Sequence, residues 1–271
     1  MSNGCMETIL NRRSILHFKE DEIPEDVLNQ VLGAGLRAPS PGGSLTTGYR
    51  GIQAFSIIVV RDRQRRAALN KMLCDGKKEC IEQAPVSLVF CVDLHRVNRW
   101  AELQGGVPHF KGVGVLWVAL RGTYAAAQNS VIAAYSLGLG AQYVQEIVWQ
   151  PYETLQFFKL PKRVLPVAML VMGYPAEQPP LAPSLPFEAV VHEETYRSMD
   201  DKELIESFGE KEKYFREWVE SLPPDSRHRQ AMDAKGVKNL AQFVSLMTYT
   251  ESFYRWRDDV VRSNLAMSEL E

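Results

Sequence analysis

Cysteine is scarce: Cys5, Cys74, Cys80 and Cys91 are the only four in 271 residues. No two are spaced CxxC, which argues against a disulfide scaffold, a thioredoxin-like motif or a zinc ribbon. Lys77 and Lys78 lie between Cys74 and Cys80, yet ordinary reduced thiols are expected. The five histidines, at 17, 95, 109, 192 and 228, show neither HxxxH nor HExxH spacing, so no metal site is expected. A net charge of −2 provides no broad field to attract nucleic acid or an anionic membrane. No apolar run approaches the roughly 18 residues of a spanning helix. Residues 1–7 lack a basic segment leading into an apolar one, which predicts no export and a cytoplasmic protein. There is no internal repeat, and no catalytic triad or carboxylate pair stands out.

Apolar residues make up 45% of the chain and charged residues 24%, ordinary values for a globular protein with a sizeable core. The length suits one large domain or two. Residues 5–16 read as a short helix. Residues 24–37 read as a longer one, with Pro24 at its first turn and Val27, Leu28, Val31, Leu32 and Leu36 on one face. Strands are predicted at 54–60, 86–92, 142–144 and 164–173, and helices at 64–74, 118–137 and 151–158. The 86–92 run is apolar almost throughout, as a central strand would be. Gly138 and Gly140 end the small-residue helix before them. Five prolines between Pro175 and Pro186 mark an extended arm. From 199 onward the chain is charged and helical, broken at Leu222–Asp225. This order of elements fits an α+β or an α/β fold.

Two segments invite chemistry. Arg12-Arg13-Ser14 places two guanidinium forks and a hydroxyl side by side, an arrangement suited to phosphate and to polar heterocycle edges. Ala38-Pro39-Ser40 opens a long loop of Gly, Ser and Thr that runs past Gly48. Loops of that length in a compact domain are commonly functional or mobile.

Four blocks in order resemble the nitroreductase family, a group of homodimeric FMN enzymes. They are Arg12-Arg13-Ser14-Ile15 with Phe18, Pro24 and Ala38-Pro39-Ser40; Gln53 leading into Ile57–Asp62; Ala126–Ala134 through Gly138-Leu139-Gly140; and Leu165-Pro166-Val167 to Gly173-Tyr174-Pro175-Ala176. Phe90–Leu94 with His95-Arg96, and the arm Leu185–Tyr196, are most similar to the branch of NADPH-dependent, oxygen-insensitive nitroreductases and flavin reductases. The resemblance implies an α+β nitroreductase-like fold: a central mixed, mainly antiparallel sheet flanked by helices, in an intertwined homodimer. It implies a core at 1–197 and a charged helical extension at 198–271 that packs on the core or on the partner subunit.

The resemblance also implies FMN as cofactor, NADPH or NADH as co-substrate, and hydride transfer in a ping-pong cycle to a nitroaromatic, quinone or flavin acceptor. The chemistry would be borne by the flavin, with no catalytic side chain and no metal. Carried over by position, Arg12, Arg13 and Ser14 would hold the phosphate–ribityl end and the pyrimidine edge. Pro39 and Ser40 would face the ring from the partner subunit, and Gln53 would reach the ribityl or ring edge. Tyr143, Val144, Gln145 and Glu146 would pass beneath the ring and offer backbone N–H groups. Lys77 stands where the branch has glutamine, and Ser184 lies in the arm. Arg227, Arg229, Arg255 and Arg257 are candidates for the 2′-phosphate of NADPH.

The departures from the pattern matter as much. Leu16, Ala182 and Ser184 stand where the branch has arginine, lysine and arginine, so a phosphate loses up to three cations. Gln145-Glu146 replaces a pair of glycines. Arg12, in a histidine position, adds charge, as do Lys77 and Arg50. Two other readings follow from these departures: a nitroreductase-fold protein without tight FMN, serving as a ligand-binding or interaction module, or an enzyme using a larger flavin or another planar cofactor.

Overall fold

A computed structural model describes residues 4–40 and 51–269. The part of the glycine- and serine-rich loop at 41–50, with Arg50, lies outside the described residues. The chain divides into two compact units, Met1–Pro179 with Asp258–Glu271, and Pro180–Arg257. The expected boundary at 197/198 falls inside the second unit.

In the first unit, helices α1 (Gly4–Asn11) and α2 (Glu25–Leu36) precede strand β1 (Phe55–Val60). Then come α3 (Arg63–Cys74), α4 (Glu79–Gln83), β2 (Val86–Asp93), α5 (Leu94–Leu103) and α6 (Val113–Ser136). Strand β3 (Gly140–Tyr143), a 3-10 turn (Gln145–Val148), α7 (Pro151–Phe157) and β4 (Val164–Gly173) follow. The sheet order is β1-β2-β4-β3 and all three pairings are antiparallel. A parallel bridge from Ser14 to Ala141 adds the mixed character. The α+β architecture expected from the sequence is the one observed.

Alternation along the central strands sorts their side chains onto two faces. Leu88, Phe90, Leu170 and Met172 pack with Leu28 and Val31 of α2 and Ala126 and Val131 of α6. Val89, Cys91, Met169 and Val171 pack with Leu69, Leu73, Ile81, Ile147 and Ile15. Every residue of β2 and β4 is buried. Both strands therefore read as continuous apolar runs, with no half-polar alternation. Pro166, which lacks an N–H, sits opposite Cys91 where the register slips. The Tyr124 hydroxyl donates to the carbonyl of the neighbouring Val167, 2.9 Å away.

Local signals set the helix ends. Asp62 caps α3 by accepting the Arg65 N–H at 2.8 Å, and Asp93 caps α5 by accepting that of Arg96 at 2.9 Å. Helix α6 starts five residues before the expected 118. Helices α4 and α5 were not expected at all: α4 is a single turn, and α5 follows β2 without a loop. The helix expected over 5–16 stops at Asn11 because the following residues join the sheet edge. Ile15 N–H donates to the Ala141 carbonyl at 3.2 Å, and Lys19 N–H to that of Tyr174 at 2.8 Å. The C-terminal residues also belong to this unit: Asn264 Nδ2 donates to the Val148 carbonyl at 3.0 Å, and Arg163 N–H to that of Ser268 at 2.7 Å.

The second unit holds α8 (Phe187–Val190), α9 (Asp201–Ser207), α10 (Gly209–Ser221), α11 (Arg227–Ala234), α12 (Leu240–Phe243) and a π turn (Val244–Thr248). Its small core is aromatic, with Phe215, Trp218 and Phe243 at ring-centroid separations of 5.3–5.7 Å. Asp200 and Glu203 form a capping box at the start of α9. Helix α13 (Glu251–Met267) begins in this unit and ends in the first. Among the described residues no helix is long and apolar enough to cross a membrane.

Gly140 lets the N-terminal segment lie on β3. A Cβ there would fall 2.6 Å from Ile15 Cγ1 and 3.0 Å from its Cβ, and Ile15 is branched and buried. Gly140→Ala is expected to cost about 1–3 kcal/mol of stability, as overpacking typically does, read as a lower urea midpoint with an unchanged slope. A second expectation concerns pH. Burial, and then the neighbouring carboxylate, push the Cys74 thiol up to about 11 and the Cys91 thiol up to about 12. The unfolded chain loses these protons first, near 9. The stability they contribute is therefore full below that value and is lost as pH rises toward 11–12. Urea midpoints of the wild type should fall more steeply between pH 9 and 11 than those of Cys91→Ala.

Candidate functional site

The sheet edge at β3 gathers most of the expected residues of the first unit. Arg12, Arg13 and Ser14 follow α1 and are drawn to β3 by the Ser14–Ala141 bridge and the Ile15 hydrogen bond. Both arginines are half-buried and Ser14 is exposed. Arg13 Nη1 donates to the Asn11 carbonyl at 2.8 Å, while its Nε is buried without a partner. Among the described residues neither arginine has a carboxylate within ion-pair distance. Gln142 Oε1 on β3 is likewise buried without a partner among the described residues, while the Tyr135 hydroxyl of α6 lies against the backbone of Arg13 and Ala141. Arg12 and Arg13 both act electrostatically on Tyr135, and Arg12 acts on Tyr143. Burial pushes the Tyr143 hydroxyl up to about 12 against the pull of Arg12, so it remains a neutral hydrogen-bonding group.

Beyond Tyr143 the backbone turns. Val144 is buried, its N–H donates to the Met169 carbonyl at 2.8 Å, and its side chain belongs to the core. Both the side chain and that N–H are therefore already engaged. Gln145 is exposed. Glu146 forms an ion pair with Lys78 Nζ at 2.7 Å. Lys77, the lysine singled out from the sequence, is instead exposed and pairs with Asp75 at 3.2 Å. Nothing in the composition separates the two lysines. What does so is the start of α4, with Lys78 at its cap and its N–H held by Asn70 Oδ1 at 3.0 Å.

Ser40 and Gln53 are tied together, the Gln53 N–H donating to Ser40 Oγ at 2.7 Å. Gln53 Nε2 donates to the Leu36 carbonyl at 3.0 Å, and Arg96 reaches the Gln53 carbonyl at 2.5 Å. Gln53 has a φ of 45°, in the left-handed region that costs a non-glycine residue free energy. Three outside anchors hold it there. Pro39 is exposed beside them.

Glu177 escaped notice in the sequence. Its Oε1 accepts the backbone N–H groups of Leu16 at 2.5 Å and His17 at 3.0 Å. It fastens the segment at the very position where a cation of the branch is missing.

Ser184 lies in the second unit and is exposed. Also in that unit, Arg229 donates to the Leu222 carbonyl at 3.1 Å, Arg255 pairs with Glu251 at 2.6 Å, and the Arg257 guanidinium lies 3.4 Å from the Phe253 ring centroid. Among the described residues no group of three or more His, Cys, Asp or Glu could hold a metal ion. Two half-buried guanidiniums, an orphaned donor and an orphaned amide oxygen suit a ligand that carries an anion and a polar, planar ring. The donor set fits FMN.

Comparison with known proteins identifies the family of the chain. Residues 9–174 match the nitroreductase family. The oxygen-insensitive NADPH nitroreductase of Salmonella typhimurium is 35% identical over 200 residues, 73% of this chain and 77% of that protein. An FMN reductase [NAD(P)H] of Bacillus subtilis is 30% identical over 204 residues, with the same shares covered. Among solved structures, B. megaterium NfrA2 superposes with a TM-score of 0.81 at 26% identity, covering 100% of this chain and 99% of that one. NfrA1 nitroreductase from B. subtilis has a TM-score of 0.75 at 26% identity, with 96% and 98% covered. The chain belongs to the nitroreductase family.

Proposed function

We propose that this protein is an FMN-dependent oxidoreductase that takes a hydride from NADPH or NADH and reduces a nitroaromatic, quinone or flavin acceptor. The observation that carries the reading is the pair Arg12 and Arg13 at the β3 edge, half-buried and, among the described residues, free of carboxylates, with Arg13 Nε lacking a partner. A buried donor left unpaired costs about 1–3 kcal/mol, more for a charged group, and an incoming phosphate or carbonyl oxygen removes that cost. The names of the relatives, NADPH nitroreductase and FMN reductase, support the same activity.

Bound FMN supplies the redox chemistry, a two-electron exchange between reduced nicotinamide and the acceptor. The chain supplies position and charge. Arg12 and Arg13 would hold the anionic end, with Ser14 as a hydroxyl donor. The backbone from Tyr143 to Glu146 would line the ring. Pro39, Ser40 and Gln53 would act as one linked element, contributed by a second copy. Tyr143, neutral across the physiological range, would act as a hydrogen-bonding group and not as a base.

A homodimer suits the surface of the first unit, where Met6, Ile9 and Leu10 of α1 and Trp117 and Tyr124 of α6 are large and exposed. The protein would work in the cytoplasm on a small-molecule acceptor.

Two measurements check the reading. The purified protein, incubated with FMN and desalted, should keep flavin absorption near one per subunit and elute at twice the chain mass. A colourless protein would overturn the assignment. Arg13→Ala should weaken FMN binding about 10- to 150-fold, the worth of one charge-assisted hydrogen bond. Riboflavin, which lacks the phosphate, should be affected far less. An equal loss for both ligands would remove the arginine from the phosphate end.

A further inference from the structure

Lys78 and Glu146 form an ion pair whose position needs explaining. Its N···O distance is 2.7 Å, and its side chains are 35% and 33% exposed. Pairs this exposed contribute roughly 0–1 kcal/mol to stability, so folding alone gives little reason for it. Both ends are nonetheless firmly set. The Lys78 backbone is held by Asn70, which is itself buried and bonded to Glu82 at 2.6 Å. Glu146 precedes Ile147, which is fully buried in the core beside α3. The Cys74 thiol lies within the field of both groups, raised by Glu146 and lowered by Lys78.

Glu146 is three residues beyond Tyr143, on the segment that continues the β3 edge where Arg12 and Arg13 lie. A carboxylate on this segment works against a site built to attract an anion. In a partly buried setting a unit charge within roughly 10 Å of a bound anion changes its affinity by about an order of magnitude.

We infer that Lys78 is a positioning residue for the cofactor site: it holds and neutralises the Glu146 carboxylate, keeping the site net positive toward an anionic ligand. The inference rests on the FMN reading and adds a residue that acts through another. The role is electrostatic, so it makes a demand that a structural brace does not. Removing the lysine alone should harm binding, and removing both charges should restore it, although the ion pair is absent in both cases.

The test is FMN affinity of the apoprotein, followed by quenching of FMN fluorescence, in wild type, Lys78→Gln and Lys78→Gln/Glu146→Gln. Lys78→Met serves as a second single variant. Thermal melts confirm that each is folded. Both single variants are expected to bind FMN about tenfold more weakly, with the deficit shrinking as ionic strength rises from 0.05 to 0.5 M. The double variant is expected to return to within about threefold of wild type on the same electrostatic grounds. A double variant as weak as the single ones would show a structural brace and overturn the inference. Single variants that bind like wild type, or a deficit insensitive to salt, would overturn it too. Wild type that fails to quench FMN would bring down the FMN reading and this inference together, whereas each other adverse result leaves the FMN reading standing.

Discussion

The burial of β2 and β4 on both faces is the constraint from which the rest of the first unit follows. Two adjacent strands with no exposed residue must be covered above and below. Helices α2 and α6 take one side, and α3, α4 and the 3-10 turn take the other. Close approach on the α2–α6 side requires small residues. A Cβ at Gly35 would fall 2.6 Å from Ser130 Oγ, and Ala126, Ala127 and Ala134 line the same face. With β2 and β4 enclosed, β3 is the strand at whose edge the N-terminal segment pairs. Its pairing through Ser14 and Ile15 brings two arginines to the end of the sheet. The site is in this sense a product of sheet order.

Charge at that edge is sorted by local pairing. Lys77 is spent on Asp75, two residues away. Glu146 is matched by Lys78, and Glu177 by two backbone N–H groups. Among the described residues Arg12 and Arg13 are left without carboxylates. Net charge for the whole chain is −2 and says nothing of this. What matters is which cations lie beyond the reach of acids. Glu177 shows the other side of the same sorting. Where Leu16 lacks the cationic side chain of the branch, the backbone beneath it still binds a carboxylate, so those two N–H groups are occupied and the positive work falls to the residues before it.

Much of the architecture was readable because its causes are local. Strand Val164–Gly173 is a long apolar run ended by glycine, and Pro24 with two acids opens α2. The misreadings share a cause as well. Residues 12–16 have helical composition, yet they pair with β3 because the Ala141 carbonyl offers Ile15 N–H a partner and Gly140 leaves room for its side chain. Helix α4 is one turn long and carries no period, and α5 begins on the residue directly after a strand, so neither had a boundary to read.

The sequence by itself determined the family, through four ordered blocks. It also determined the type of most elements and the chemical character of the site, since guanidiniums beside a hydroxyl and an absence of catalytic dyads are matters of residue type. The tertiary structure decided which of those residues act together. Adjacent in sequence, Lys77 and Lys78 point to different partners because a helix begins between their side chains and the next turn. Val144, equal to its neighbours in sequence, turns into the core, and Gln53 is held at positive φ by Ser40, Leu36 and Arg96. Pairing and burial depend on what the rest of the chain brings within a few ångströms, and no window of sequence contains that.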